Sequence, residues 1–120
     1  MSERCYTYEH GGAKILMVNY SGLDADAILK LVAESDQAVA DAGTGGQRLL
    51  IDMTDSKMNS AASDAMRESR TKSKGLVAKV AVVGAQSGLV RIIANVLSGI
   101  GGINTRLCLT VDEANAWLAA

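Results

Sequence analysis

Residues 48–55 read RLLIDMTD. Leu49, Leu50 and Ile51 form an unbroken apolar run, which marks a strand covered on both faces, and sheets covered on both faces are mostly parallel. The run ends in Asp52-Met53-Thr54-Asp55-Ser56, a polar loop at the carboxyl end of the strand, where α/β sheets place ligand sites. Ile15-Leu16-Met17-Val18, within residues 14–20, and residues 77–84 have the same two-sided apolar character. Three such strands separated by helical spacing predict an α/β sheet with crossover helices.

Between them, Ile28, Leu31, Val32, Val39 and Ala42 fall at helical spacing from about Asp24 until Gly43-Thr44-Gly45-Gly46 ends the helix. A second helix starts near Ser60, with Ala62, Ala65, Met66 and Ser69 inward and Arg67, Arg70 and Lys74 outward. A third is expected from Ser87, where Leu89, Ile92, Ile93, Val96, Leu97 and Ile100 make the broadest apolar stripe in the chain. Residues 105–109 form a last strand, and Thr110-Val111-Asp112-Glu113 has the spacing of a capping box before Ala114, Trp117 and Leu118. Residues 4–9 alternate and are followed by His10-Gly11-Gly12-Ala13, a hairpin signal. The expected order is β-β-α-β-α-β-α-β-α. It describes a single α/β domain over residues 1–120, with a mixed, mostly parallel five-stranded sheet and about four helices.

Composition narrows the function classes. The chain has 120 residues, 48% of them hydrophobic and 21% charged, enough apolar surface for one core. Twelve bases against thirteen acids give a net charge of -1, which argues against a general nucleic-acid binder. The charge is nevertheless segregated, with ten acids and five bases up to residue 66 and three acids and seven bases after it. No apolar run is long enough to span a membrane, and the first residues lack the apolar core of a signal peptide, so a soluble cytoplasmic protein is expected. One histidine, His10, and two widely separated cysteines, Cys5 and Cys108, cannot supply the usual zinc spacing or a Ser-His-Asp arrangement. No metal, no cofactor and no catalytic residue is expected.

Three segments, ILMVNYSGL (residues 15–23), LLIDMTD (49–55) and AVVGAQSGLVRIIANVL continuing to RLCLTVDEANAWL (81–97 and 106–118), resemble the STAS superfamily. This is the fold of bacterial anti-sigma-factor antagonists, and the likeness is to its SpoIIAA-like branch. The resemblance implies a STAS-like fold and a regulatory, protein-binding module that performs no chemistry. In the antagonists a partner kinase phosphorylates a Ser that follows an Asp at the start of the helix after the central strand. The corresponding pair here is Asn59-Ser60, flanked by Met58 and Ala61-Ala62, so Asn stands in place of the acid. By shape the fold is also similar to CRAL-TRIO lipid-exchange domains, which implies a carrier of an apolar ligand as the alternative.

Ser60 is therefore the phosphoacceptor candidate, and its plainer role is a helix N-cap. Asn59, Arg67, Arg70 and Lys74 are expected to form the surface for a protein partner, an anti-sigma-type kinase among the candidates. Asp52, Asp55 and Ser56 with Gly84 and Ser87 would form a ligand loop, or else turn-capping carboxylates and a tight strand-to-helix turn. The first hairpin offers an edge through which a homodimer could pair.

Overall fold

The computed structural model describes residues 2–85, 88 and 103–120. Its strands are β1 (Cys5–His10), β2 (Ala13–Asn19), β3 (Gln47–Asp52), β4 (Val77–Val83) and β5 (Asn104–Cys108). They form one sheet in the order β1-β2-β3-β4-β5, with β1 antiparallel to β2 and every other pair parallel. The helices among the described residues are α1 (Ala25–Ala42), α2 (Ser60–Lys72) and α3 (Val111–Ala119). The mixed five-stranded α/β architecture is the expected one. The helix expected from Ser87 lies outside the described residues, and β5 begins one residue earlier than the sequence indicated.

Local chemistry sets the element ends. The Asp24 carboxylate accepts from the Ala27 N–H at 2.9 Å and starts α1, and the Gly43 N–H returns to the Val39 carbonyl at 3.2 Å to end it. The Thr110 hydroxyl accepts from the Glu113 N–H, while the Glu113 carboxylate accepts from the Leu109 N–H, so this start is closed from both sides. Between β1 and β2, Gly11 and Gly12 have φ of 57° and 82°. Two successive residues in that region make a tight hairpin turn that side chains disfavour.

Alternation along the central strands divides the core. Leu16, Val18, Leu49, Ile51, Val80 and Val82 point toward α1 and α2 and meet Ile28, Leu31, Val32, Val39, Ala62 and Met66. Ile15, Leu50, Ala81 and Val83 point the other way and meet Ala114 and Leu118 of α3. Consecutive strand order with right-handed crossovers places α1 and α2 on the same face. The cations Arg48 and Lys79 fasten α3 from below: Arg48 donates to the Leu118 carbonyl, and Lys79 donates to Trp117 O and lies 5.1 Å from its ring centre. Both cysteines are buried free thiols, and burial pushes each above its ordinary pKa.

Tyr20, at the end of β2, is 2% exposed, and burial raises its hydroxyl pKa to about 12. An unfolded tyrosine ionises near 10, so between pH 10 and 12 the unfolded chain loses a proton that the folded chain keeps, and stability falls as pH rises. Two units amount to about 2–3 kcal/mol at the top of that window. Denaturant unfolding at pH 8 and pH 11.5 should show a smaller loss for Tyr20→Phe than for the parent chain; equal losses would remove Tyr20 as the cause.

Candidate functional site

At the carboxyl end of the sheet, the loop from β3 to α2 is held from several sides. Met53 N–H donates to Val83 O, Gly22 N–H to Thr54 O and Lys57 N–H to Leu23 O, each at 2.9 Å. One Asp52 carboxylate oxygen accepts from both the N–H and the hydroxyl of Thr54, at 2.9 and 2.6 Å. Asp52, half-buried, thus fixes the turn through one of its two oxygens. Asp55 takes a positive φ of 55°, and the Ser56 hydroxyl is buried without a hydrogen-bond partner among the described residues.

Gly84 closes this corner. It has φ of 74°, and a β-carbon there would lie 2.0 Å from Thr54 Oγ1 and 2.7 Å from Thr54 N. The end of β4 and the β3–α2 loop approach to a distance that only glycine permits. Ser87, expected beside it, lies outside the described residues.

The start of α2 corrects one expectation. Asn59, in extended conformation, is the N-cap: its side-chain oxygen accepts from the Ala62 N–H at 2.9 Å. Ser60 is the first helical residue, exposed, and its hydroxyl makes no hydrogen bond among the described residues. Both residue types are strong caps, so backbone conformation decides between neighbours that the sequence leaves equivalent.

Arg70 is a second correction. Arg67 and Lys74 are exposed, but Arg70 is 3% exposed and faces the core between α1 and α2. One guanidinium nitrogen donates to Ser69 Oγ at 2.7 Å and lies 3.6 Å from Asp36 of α1; Ser69 in turn donates to Asp36. The other terminal nitrogen is buried with no hydrogen-bond partner among the described residues. Burial lowers the Arg70 pKa, opposed by nearby Tyr20 and Asp36. Position 70 lies four residues after Met66 and eight after Ala62, on the buried face, so its period gave the signal that its charge obscured. Asp36, Ser69 and Tyr20 belong to this cluster and were not anticipated as one.

The exposed face of α2 is mixed in charge rather than basic. Arg67 lies 4.0 Å from Asp64, and Lys72 lies 3.6 Å from Glu68. Among the described residues no His, Cys, Asp and Glu come together as a metal site, and no helix is long and apolar enough to cross a membrane.

No family model matches the chain, and no curated protein matches it. A solved structure does. An anti-sigma-factor antagonist (STAS) domain protein from Planctomyces limnophilus superposes with a TM-score of 0.50 at 12% identity, covering 97% of this chain and 98% of that one. The chain therefore has a STAS-like fold. At that identity the likeness establishes the fold alone.

Two outcomes follow for this corner. Gly84→Ala is expected to lower stability by more than about 2 kcal/mol and to move the Thr54 amide resonance, combining a disfavoured φ with overlap. Removing the Thr54 hydroxyl should relieve only part of this, since backbone atoms also obstruct; full rescue by Thr54→Ala would locate the clash in the side chain alone. Asp36→Ala should cost about 2–3 kcal/mol by leaving Arg70 buried and unpaired, less than a fully buried pair because Asp36 is one-third exposed. Asp36→Ala/Arg70→Met should recover much of that loss, and additive losses would show that the two residues are uncoupled.

Proposed function

We propose that the chain is a non-enzymatic regulatory domain that binds a partner protein through the β3–α2 corner and the exposed face of α2, and that Ser60 is its switch. The observation that carries this reading is the placement of Ser60. It is exposed in the first turn of α2, relieved of capping by Asn59, in a chain with a STAS-like fold.

The physical argument for a switch is local. The first turn of α2 contains no acid, and the amino end of a helix carries unsatisfied N–H groups and positive potential, so a phosphate on Ser60 would be accommodated without unfolding the helix. Its two negative charges would nevertheless transform a surface on which Asp64 and Arg67 nearly cancel. A partner seated there would meet a different field, and like-charge juxtaposition across an interface costs several kcal/mol. Asn59, Arg67 and Lys74 supply the remaining polar contacts, while Arg70 acts from beneath by fixing α2 against α1. The partner in this reading is a protein kinase of the anti-sigma type, and the setting is the cytoplasm.

The test is binding between this chain and a partner co-purified from its source and then prepared pure. Ser60→Asp should weaken the complex at least tenfold, about 1.4 kcal/mol, while Ser60→Ala leaves it unchanged. Arg67→Glu with Lys74→Glu should also weaken it. Unchanged affinity for Ser60→Asp removes the switch, and indifference to both charge reversals moves the interface off α2.

A further inference from the structure

At the opposite, amino-terminal end of the parallel strands lies a cleft of about 800 Å³, within the range of about 300–1,000 Å³ typical of small-ligand sites. Its mouth runs between two glycine-bearing turns, Gly11-Gly12 of the first hairpin and Gly45-Gly46 before β3. Leu16, Ala13, Ala38, Ala42 and Ala119 give its apolar lining. The space exists because the last turns of α1 present alanines toward the start of β2, where larger side chains would close the gap.

The polar groups of the lining give the cleft a sign. Asp41 accepts from Gln37 at 2.7 Å, and Arg48 donates to the Leu118 carbonyl. The Gln47 amide donates to Val39 O, in the last turn of α1, and to Thr44 O just beyond it, at 3.0 and 2.9 Å, and so ties the start of β3 to the end of the helix. The lining thus carries two cations, Lys14 and Arg48, against one carboxylate, Asp41, and of the two cations Lys14 is the uncommitted one. It lines the cleft, is exposed, and forms no hydrogen bond or ion pair among the described residues, even with Glu9 opposite it in the ladder. A cleft with a short apolar lining and one uncommitted ammonium group complements a molecule with a compact apolar body and an anionic head.

From this geometry we infer that the cleft binds a small amphiphilic organic anion, its acidic head on Lys14 and its apolar body against Leu16, Ala38 and Ala42. The site lies at the other end of the sheet from Ser60 and stands independently of the switch. The glycines at the mouth allow such a head to approach main-chain N–H groups closely. The shared chemistry of the ligand is an anionic head on a short chain, whether carboxylate or phosphate monoester.

Titration of the full chain with octanoate, octyl phosphate, octylammonium and octanol, followed by amide resonances, tests it. Both anions should shift Gly11, Gly12, Gly45 and Gly46, and each should bind at least tenfold more tightly than octylammonium or octanol. Lys14→Gln should weaken octanoate at least fivefold, and Ala42→Leu, at an exposed position that folding tolerates, should weaken it at least tenfold by filling the cleft. Ala38→Leu provides a second filling variant, with the unfolding midpoint reporting that each protein is folded. Absence of shifts at the four glycines, equal binding of octylammonium, or undiminished binding by the filled variants overturns the inference. Preference for one anion over the other identifies the head group.

Discussion

The register of β3 between its two parallel neighbours is the constraint on which the molecule depends. Leu49 pairs with Leu16 and Val80, and Leu50 with Met17 and Ala81, so successive side chains are committed to opposite faces across three strands at once. A slip of one residue would turn Leu50 toward α1 and α2 and expose Leu49 and Ile51 to α3, inverting both clusters. The same register brings Asp52 to the end of the sheet beside Val83 and sets where the β3–α2 loop begins. The position of the candidate corner thus follows from packing before any functional requirement acts on it.

Much of this was readable because the signals are local. Continuous apolar runs marked β2, β3 and β4, and helical spacing marked α1 and α3 with their caps. What escaped was decided by tertiary geometry. Thr54 and Gly84 are thirty positions apart, and no local pattern announces that one requires the other to lack a side chain. Asn59 and Ser60 differ as caps only through backbone conformation. Arg70 was misread for another reason: a charge was weighed above a period, whereas a long cationic side chain can be buried when a carboxylate and a hydroxyl receive it.

That burial has a structural meaning beyond stability. A buried ion pair returns little net free energy, because desolvation offsets most of the attraction. Its geometric demand is stronger, since the Arg70, Ser69 and Asp36 groups are satisfied only when α2 sits at one rotation and height against α1. Ala62 and Met66 alone would leave that helix a weakly specified contact. The cluster therefore fixes which residues of α2 face outward, and it turns Ser60, Arg67 and Glu68 to the exposed side together.

The two ends of the parallel strands differ in physical character. At the carboxyl end, cross-loop bonds between residues 20–24, 52–57 and Val83 satisfy the backbone and make a firm surface onto which the amino ends of α1 and α2 converge. At the amino end, the glycine-bearing turns leave a gap, lined by two cations, Lys14 and Arg48, against one carboxylate, Asp41. Added negative charge is favoured at the first end by helix termini and at the second by a single ammonium group. Asn59 already occupies the Ala62 N–H, so a phosphate on Ser60 would be held by the remaining amides of the first turn and by field rather than by a closed cradle. A phosphate held so loosely stays exposed to a partner, and that exposure is what a reversible switch requires.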